Sequence, residues 1–305
     1  MSEKVSVEYV TLDVFTDHAF GGNPLAVVLD GRGLTDTDMQ AIAAEFNYSE
    51  TTFLLPPDDA LHTARVRIFT TIRELPFAGH PNVGTGFVVA GLGALFGRKV
   101  SDELHFEEKA GLVPIALLKE GGAVVGARLT APQKLAVGRT VAPEIVAECL
   151  GLHAAEIAAD HHPPVIASVG LPFLFAALTS RAALEKCRPS ASAFARHLPI
   201  EGACAIHASV HDGAGVRARV FADHGTIIED PATGSANVAF VALSADLTPE
   251  PDADLSLDIL QGVEMGRPSR LEARAIKRAR KVERAEIGGR CVPVMRGRLS
   301  FHRGG

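Results

Sequence analysis

The sequence predicts an α+β fold of two duplicated domains, each a rolled, mostly antiparallel sheet around a central helix. Three observations lead there. A long internal repeat divides the chain in half, β-forming segments follow one another without alternating helices, and two helix patterns are apolar on every face.

The repeat reads Arg67-Ile68-Phe69, then His80-Pro81-Asn82-Val83-Gly84-Thr85, then the apolar stretch FVVAGLGALF. Its second copy reads Arg219-Val220-Phe221, then Asp230-Pro231-Ala232-Thr233-Gly234-Ser235, then NVAFVALSADL. The strand ends are offset by 219 − 67 = 152 and the loops by 230 − 80 = 150. A third echo sets Gly22-Asn23-Pro24-Leu25-Ala26-Val27 against Gly170-Leu171-Pro172-Phe173-Leu174-Phe175, offset by 148. Three matches in one order at a nearly constant offset argue for duplication. Two long units do not make a solenoid, so the expectation is two similar domains related by a pseudo-twofold axis, with the working site where they face each other.

In the first half, 7–15, 25–29, 51–55 and 64–69 read as strands, rich in Val, Thr and Phe and bounded by Gly or Pro. Residues 113–130 read as a hairpin about Glu120-Gly121-Gly122. In the second half, 164–178, 203–208, 215–221 and 290–301 read as strands. Residues 35–46 form an amphipathic helix: Met39, Ile42, Ala43 and Phe46 share one face, and Thr35 with Asp38 makes a capping box. The stretches after Gly84 and Gly234 are the two central helices. Residues 1–130 are assigned to the first domain, completed by the strand near 290–303, and 131–289 to the second.

Composition narrows the function. The chain is 47% hydrophobic and 22% charged, which is ordinary globular usage. A formal charge of −6, with 6% aromatics and no Trp, provides neither a basic field nor a stacking platform, so a nucleic-acid partner is not expected. The start lacks the apolar core of a signal peptide, and the run from Phe87 to Phe96 is broken by Gly91 and Gly93. The expectation is a cytoplasmic protein without a membrane partner. Cys149, Cys187, Cys204 and Cys291 show no CxxC pairing, and HxxxH and HExxH spacings are absent. They read as reduced small hydrophobes, no metal is assigned, and lone histidines such as the His161–His162 pair read as surface or capping residues.

Chemistry concentrates at the two helix mouths. Each helix is read as opening with Gly-[ST] after a Pro, where small residues leave amide donors bare and the helix dipole favours an anion. Gly79, Gly84 and Thr85 on one side, and Thr233 and Gly234 on the other, are therefore read as holding a carboxylate-bearing ligand. Thr85 and Ser235 acting only as caps is the simpler alternative. Neither loop is a Walker loop or a GxGxxG turn. Glu50, at a helix-to-strand junction among aromatic and β-forming residues, is the candidate general acid and base; half burial would raise its pKa.

The blocks DVFTDHAFGGNPLAVVLD, EFNYSETTFLL, RELPFAGHPNVGTG and EDPATGSAN resemble the phenazine-biosynthesis isomerase family, the PhzF-like proteins, in order from about residue 6 onward. The resemblance implies a diaminopimelate-epimerase-like fold, a cleft between two domains, no cofactor, and a homodimer. It also implies a catalytic glutamate in Asn47-Tyr48-Ser49-Glu50-Thr51, with His80, Asp230 and Ser235 completing the site. The cysteines that epimerases of this fold carry at each helix mouth are absent here, which argues against thiol-based racemisation. The implied activity is a cofactor-independent isomerisation of a small cyclic acid of the dihydro-hydroxyanthranilate type. Glu50 moves a proton along one face of the ring while His80, Asp230 and the helix mouths hold it. A non-catalytic binder of small acids, and an amino-acid epimerase using Glu50 with His80, are the alternatives.

Overall fold

The computed structural model describes residues 3–159, 162–213, 215–223 and 227–303. His161 lies outside them. The chain divides into two compact units, residues 1–129 with 289–305, and residues 130–288.

The first unit contains β1 (Lys4–Val14), β2 (Asn23–Val28), α1 (Asp36–Phe46), β3 (Glu50–Leu55), β4 (Ala64–Phe69), β5 (Glu74–Leu75) and α2 (Gly79–Leu92). A small hairpin, β6 (Ala94–Leu95) with β7 (Arg98–Lys99), leads to β8 (Glu103–Glu108), β9 (Gly111–Glu120) and β10 (Ala123–Thr130). The second contains β11 (Ala136–Thr140), α3 (Pro143–Leu150), β12 (Val165–Ser168), β13 (Pro172–Ala177), α4 (Arg181–Lys186), α5 (Ala191–His197), β14 (Ala205–Asp212) and β15 (Gly215–Asp223). It continues through β16 (Ile227–Asp230), α6 (Gly234–Leu247), β17 (Ala253–Gln261) and β18 (Ser269–Arg278) into β19 (Lys281–His302). The first residues of β19 pair with β18, and the later ones return to pair with β1 in the first unit.

In the first unit the pairings run from β19 to β1, β2, β3, β4, β8, β9 and β10, and β10 pairs with β19 again. The sheet thus closes on itself. It is mixed: β2–β3 and β4–β8 are parallel, while β19–β1, β1–β2, β3–β4, β8–β9 and β9–β10 are antiparallel. Helix α2 packs against β1, β2, β3 and β9, which explains why its sequence carries no polar face.

The second unit repeats the order of pairings. Strand β13 is antiparallel to β12 and parallel to β14, β14 is antiparallel to β15, and β15 pairs antiparallel with β16 and parallel with β17. Its buried helix, α6, packs on β12, β13, β17 and β18. A separate layer of short helices, α3 to α5, buries Val146, Leu150, Leu184 and Phe194 against Leu174, Ile206 and Phe221. The sequence reading did not foresee these helices, which are short; α4 and α5 are capped singly by Ser180 and Ser190.

The capping box of α1 is present: Thr35 Oγ1 accepts from the Asp38 amide, and the Asp38 carboxylate accepts from the Thr35 amide. Residues 164–178 form two antiparallel strands rather than one, because Gly170 (φ +146°) reverses the chain between them. The first central helix also starts earlier than its sequence reading. It begins at Gly79, so Gly84 and Thr85 lie in its second turn. Pro81 does not precede this helix but sits in its first turn, where a missing N–H breaks no intrahelical bond. Among the described residues, no helix is long and apolar enough to cross a membrane.

Candidate active site

The two clusters of functional side chains belong one to each unit. In the first, α1 ends at Asn47 in the left-handed conformation (φ +54°), and soon afterwards the chain enters β3 at Glu50. A side-chain amide at the cap tolerates this turn better than a β-branched residue would. The Glu50 side chain is 17% exposed, and its Oε2 lies 3.5 Å from Nδ1 of His80. His80 is the second residue of α2 and only 3% exposed. The same ring nitrogen is 3.2 Å from Nδ2 of Asn23, at the start of β2. Gly22 makes that placement possible: at φ +59° a Cβ there would run into the Val14 carbonyl and the Thr16 side chain.

Burial drives the His80 pKa down to about 3, so the ring is neutral at physiological pH. Its Nε2 is buried without a hydrogen-bond partner. The helix N-cap, Ala78, has no side chain to cap the first turn, so Gly79 and His80 form an uncapped helix mouth.

Gly84 and Thr85 are not part of that mouth. A Cβ on Gly84 would collide with Leu25 and Val14, and the Thr85 hydroxyl is fully buried against Thr52 Oγ1 at 2.9 Å. Their backbone lies inside the helix, so they seat α2 on its sheet and the reading of them as ligand-holding residues gives way.

In the second unit, α6 begins at Gly234, with Ser235 next and 5% exposed. The N-cap residue Thr233 does not cap; its hydroxyl donates instead to Oδ2 of Asp230 at 2.6 Å. Asp230 closes β16.

The backbone corrects the repeat register. Both central helices have 14 residues and start at Gly79 and Gly234, an offset of 234 − 79 = 155 rather than 150. In each unit the preceding short strand is tied by a bidentate fork, Arg67 to Glu74 at 2.8 and 2.7 Å and Arg219 to Glu229 at 2.7 and 2.8 Å. Each guanidinium also lies over a phenyl ring, Phe69 at 5.0 Å and Phe221 at 4.9 Å. The shared pattern is therefore E-x-P-x-x-G-x-x-N, Glu74 to Asn82 and Glu229 to Asn237. His80 corresponds to Ser235, and Asp230 to Leu75. The shorter match that pairs His80 with Asp230 follows a Pro and a Gly-[ST] that fall at different points of the two helices.

This register exposes residues the sequence reading passed over. Asn82 Nδ2 donates to the Ala78 carbonyl at 2.9 Å, as Asn237 Nδ2 does to the Thr233 carbonyl at 3.0 Å. Ala64 pairs with Phe106 three residues before Arg67, and Val216 pairs with Ile259 three residues before Arg219. Two residues further on stand Glu108 and Gln261. Glu108 thus occupies in the first unit the position of Gln261 in the second. Its carboxyl oxygens are buried near Asn82, and burial pushes its pKa well above the usual carboxylate range. As the neutral acid it is a near isostere of glutamine.

A raised folded-state pKa contributes stability that is present below the unfolded value and is lost as pH rises through the folded one. Glu108→Gln removes that loss. Its melting temperature is expected to exceed the parent's by several degrees at pH 8, at about 2–4 °C per kcal/mol, with the gap narrowing toward pH 5. Equal melting curves at both pH values would contradict the neutral-acid assignment.

The cysteines stand apart from both mouths. Cys149, Cys187 and Cys291 are buried, and burial raises the first two thiols to about 11 and the third further. His162 contacts the Pro163 carbonyl through Nδ1 at 2.8 Å. Among the described residues, no group of three or more His, Cys, Asp or Glu side chains is placed to hold a metal.

A family model described as phenazine biosynthesis-like protein matches residues 12–297. An uncharacterized isomerase of Mesorhizobium japonicum is 36% identical over 302 residues, covering 95% of this chain and 98% of that one. The trans-2,3-dihydro-3-hydroxyanthranilate isomerase of Pseudomonas aeruginosa is 35% identical over 290 residues, covering 95% and 98%. The crystal structure of the Bacillus anthracis phenazine biosynthesis protein of the PhzF family superposes with a TM-score of 0.84 at 26% identity, covering 97% of this chain and 99% of that one.

Proposed function

The chain belongs to the phenazine biosynthesis-like family and is an isomerase, and from that premise we propose that it moves a proton and a double bond within a small cyclic carboxylic acid, with Glu50 as the group that carries the proton. The observation that carries this reading is the Glu50–His80 pair: a carboxyl group partly open to solvent, 3.5 Å from an imidazole that burial keeps neutral.

The chemistry needs one exchangeable proton and no change of oxidation state. The Glu50 carboxylate takes a proton from a ring carbon beside unsaturation, and the C–H electron pair enters the conjugated system. The carboxylic acid then returns the proton to another carbon on the same face. The formula is unchanged and the carboxylate is regenerated.

His80 suits a fixed polar contact better than a second base. A pKa of about 3 makes its ring too weakly basic to abstract a carbon-bound proton at neutral pH, which counts against a two-base epimerase. Buried beside Glu50 and Asn23, the neutral ring is suited to holding the carboxyl group in place. The uncapped amides of Gly79 and His80 suit a carboxylate, and Asp230, Thr233, Gly234 and Ser235 are proposed to take other polar groups. Cys149, Cys187 and Cys291, buried and driven toward the neutral form, do not supply a nucleophile. The matching backbone registers support descent of both units from one duplicated ancestor.

The substrate proposed is trans-2,3-dihydro-3-hydroxyanthranilate or a close analogue, on the strength of the relatives that carry that name. Incubating the pure protein with this acid and following it by NMR tests the reading. A product of the same mass with a shifted double bond is expected; an unchanged substrate at high enzyme concentration would reject that substrate.

A further inference from the structure

His207, Asn237 and Gln261 are each 0% exposed, yet all three are polar and none is used by the chemistry above. His207 lies on β14 between two aromatic rings, Phe240 at 4.8 Å and Phe175 at 5.2 Å. Its Nε2 is 3.0 Å from Oδ1 of Asn237, and its Nδ1 is buried with no hydrogen-bond partner.

The backbone dictates which way each amide points. The Thr233 carbonyl can only accept, so the atom of Asn237 beside it is Nδ2. The Thr233 amide can only donate, at 3.2 Å, so its neighbour on Gln261 is Oε1; the Asp230 carbonyl, at 2.8 Å, likewise faces Gln261 Nε2. With both amides fixed, Asn237 Oδ1 is an acceptor and His207 must carry its proton on Nε2. The bonds then run in one direction. His207 Nε2–H donates to Asn237, Asn237 Nδ2–H to Gln261 Oε1 at 2.8 Å, Gln261 Nε2–H to Thr233 Oγ1 at 3.1 Å, and the Thr233 hydroxyl to Asp230 Oδ2.

We propose that His207 is a positioning residue, the head of an unbroken line of donated hydrogen bonds that orients the Asp230 carboxylate as an acceptor at the mouth of α6. The role rests on the isomerase reading, in which Asp230 meets the substrate. Each link polarises the next toward the carboxylate, and turning over Gln261 would set its Nε2 donor against the Thr233 amide and its Oε1 against the Asp230 carbonyl. Low basicity fits His207 for this position, because burial brings its pKa to about 4 and the ring stays a neutral single donor. The first unit has no such line, because Thr52 stands where His207 does, two residues into the strand, and ends on Thr85.

His207→Phe keeps the aromatic stack and removes only the donor. It is expected to lower kcat roughly 10- to 100-fold with KM within about twofold, as small misplacements of a site group do. It should also move the Asp230 carboxyl ¹³C signal, assigned through Asp230→Asn. His207→Gln, whose amide can still donate to Asn237, should recover most of both. Imidazole ¹⁵N shifts of the parent should report a neutral ring protonated at Nε2 throughout the neutral and mildly alkaline range. Should His207→Phe fail to fold, Thr233→Val cuts the last link and is read by the Asp230 carboxyl signal alone, because Thr233 is itself assigned to the ligand. A proton on Nδ1, or an unmoved Asp230 signal in the folded variant, overturns the proposal whether or not turnover is seen. A parent inactive on the acid rejects the isomerase substrate instead, and the NMR signals then decide the positioning role alone.

Discussion

Glu50→Gln is expected to lower kcat by ~10²–10⁴-fold, the usual scale of general acid–base catalysis, while substrate affinity changes little. The substitution preserves length and hydrogen-bonding capacity, and the residue opens β3 at the rim of its strand, so the fold has no reason to change. Only the exchangeable proton is lost. His80→Asn should behave differently: it removes the ring beside both Glu50 and Asn23, so KM should rise along with the fall in kcat. Stopped-time assays of the three proteins on one substrate separate the roles. Near-parental turnover by Glu50→Gln would end the assignment.

Mild acid should destabilise the protein far more than its carboxylates alone would. His80 and His207 both fold as neutral rings, with pKa values of about 3 and about 4, whereas an unfolded histidine titrates near 6.5. A depressed folded-state pKa gives stability that is present above the unfolded value and is lost as pH falls through the window below it. Between about pH 6.5 and 4 the unfolded chain binds two protons that the folded chain refuses. By about pH 5 each ring accounts for about 2 kcal/mol of lost stability. Glu108 opposes this by gaining stability over part of the same range, with one proton against two. The melting temperature should therefore drop clearly between pH 7 and pH 5, and the drop should shrink in His207→Phe. A melting temperature unchanged over that interval would mean that one or both rings accept a proton in the folded state.

Much of the fold was legible because the relevant signals are local. The capping box at Thr35 and Asp38, the paired glycines after Glu120, and the all-apolar stretches of α2 and α6 are decided within a turn or two of chain. The duplicated pattern was also visible, but its register was not. Pro81 and Pro231 look alike in sequence, yet one lies inside a helix and the other before it, and only the forks of Arg67 and Arg219 fix the alignment. Glu50 and His80 were legible as candidates, while the contact of His80 with Asn23 was not, since that depends on Gly22 turning the chain toward α2. Gln261 and Glu108 lay furthest from reach. Each is a polar residue ending an ordinary strand, and its importance comes from parallel pairing with a strand far away in sequence.

The central claim, that one carboxyl group carries a proton between carbons of the substrate, is tested most directly by running the reaction in D₂O. With trans-2,3-dihydro-3-hydroxyanthranilate as substrate, the account predicts an isomerised product that carries deuterium at the carbon receiving the proton, to the extent that Glu50 exchanges with solvent between the two steps. With Glu50→Gln it predicts isomerisation and deuterium uptake slowed together by the same ~10²–10⁴-fold. Deuterium appearing at the same rate with Glu50→Gln as with the parent would contradict it.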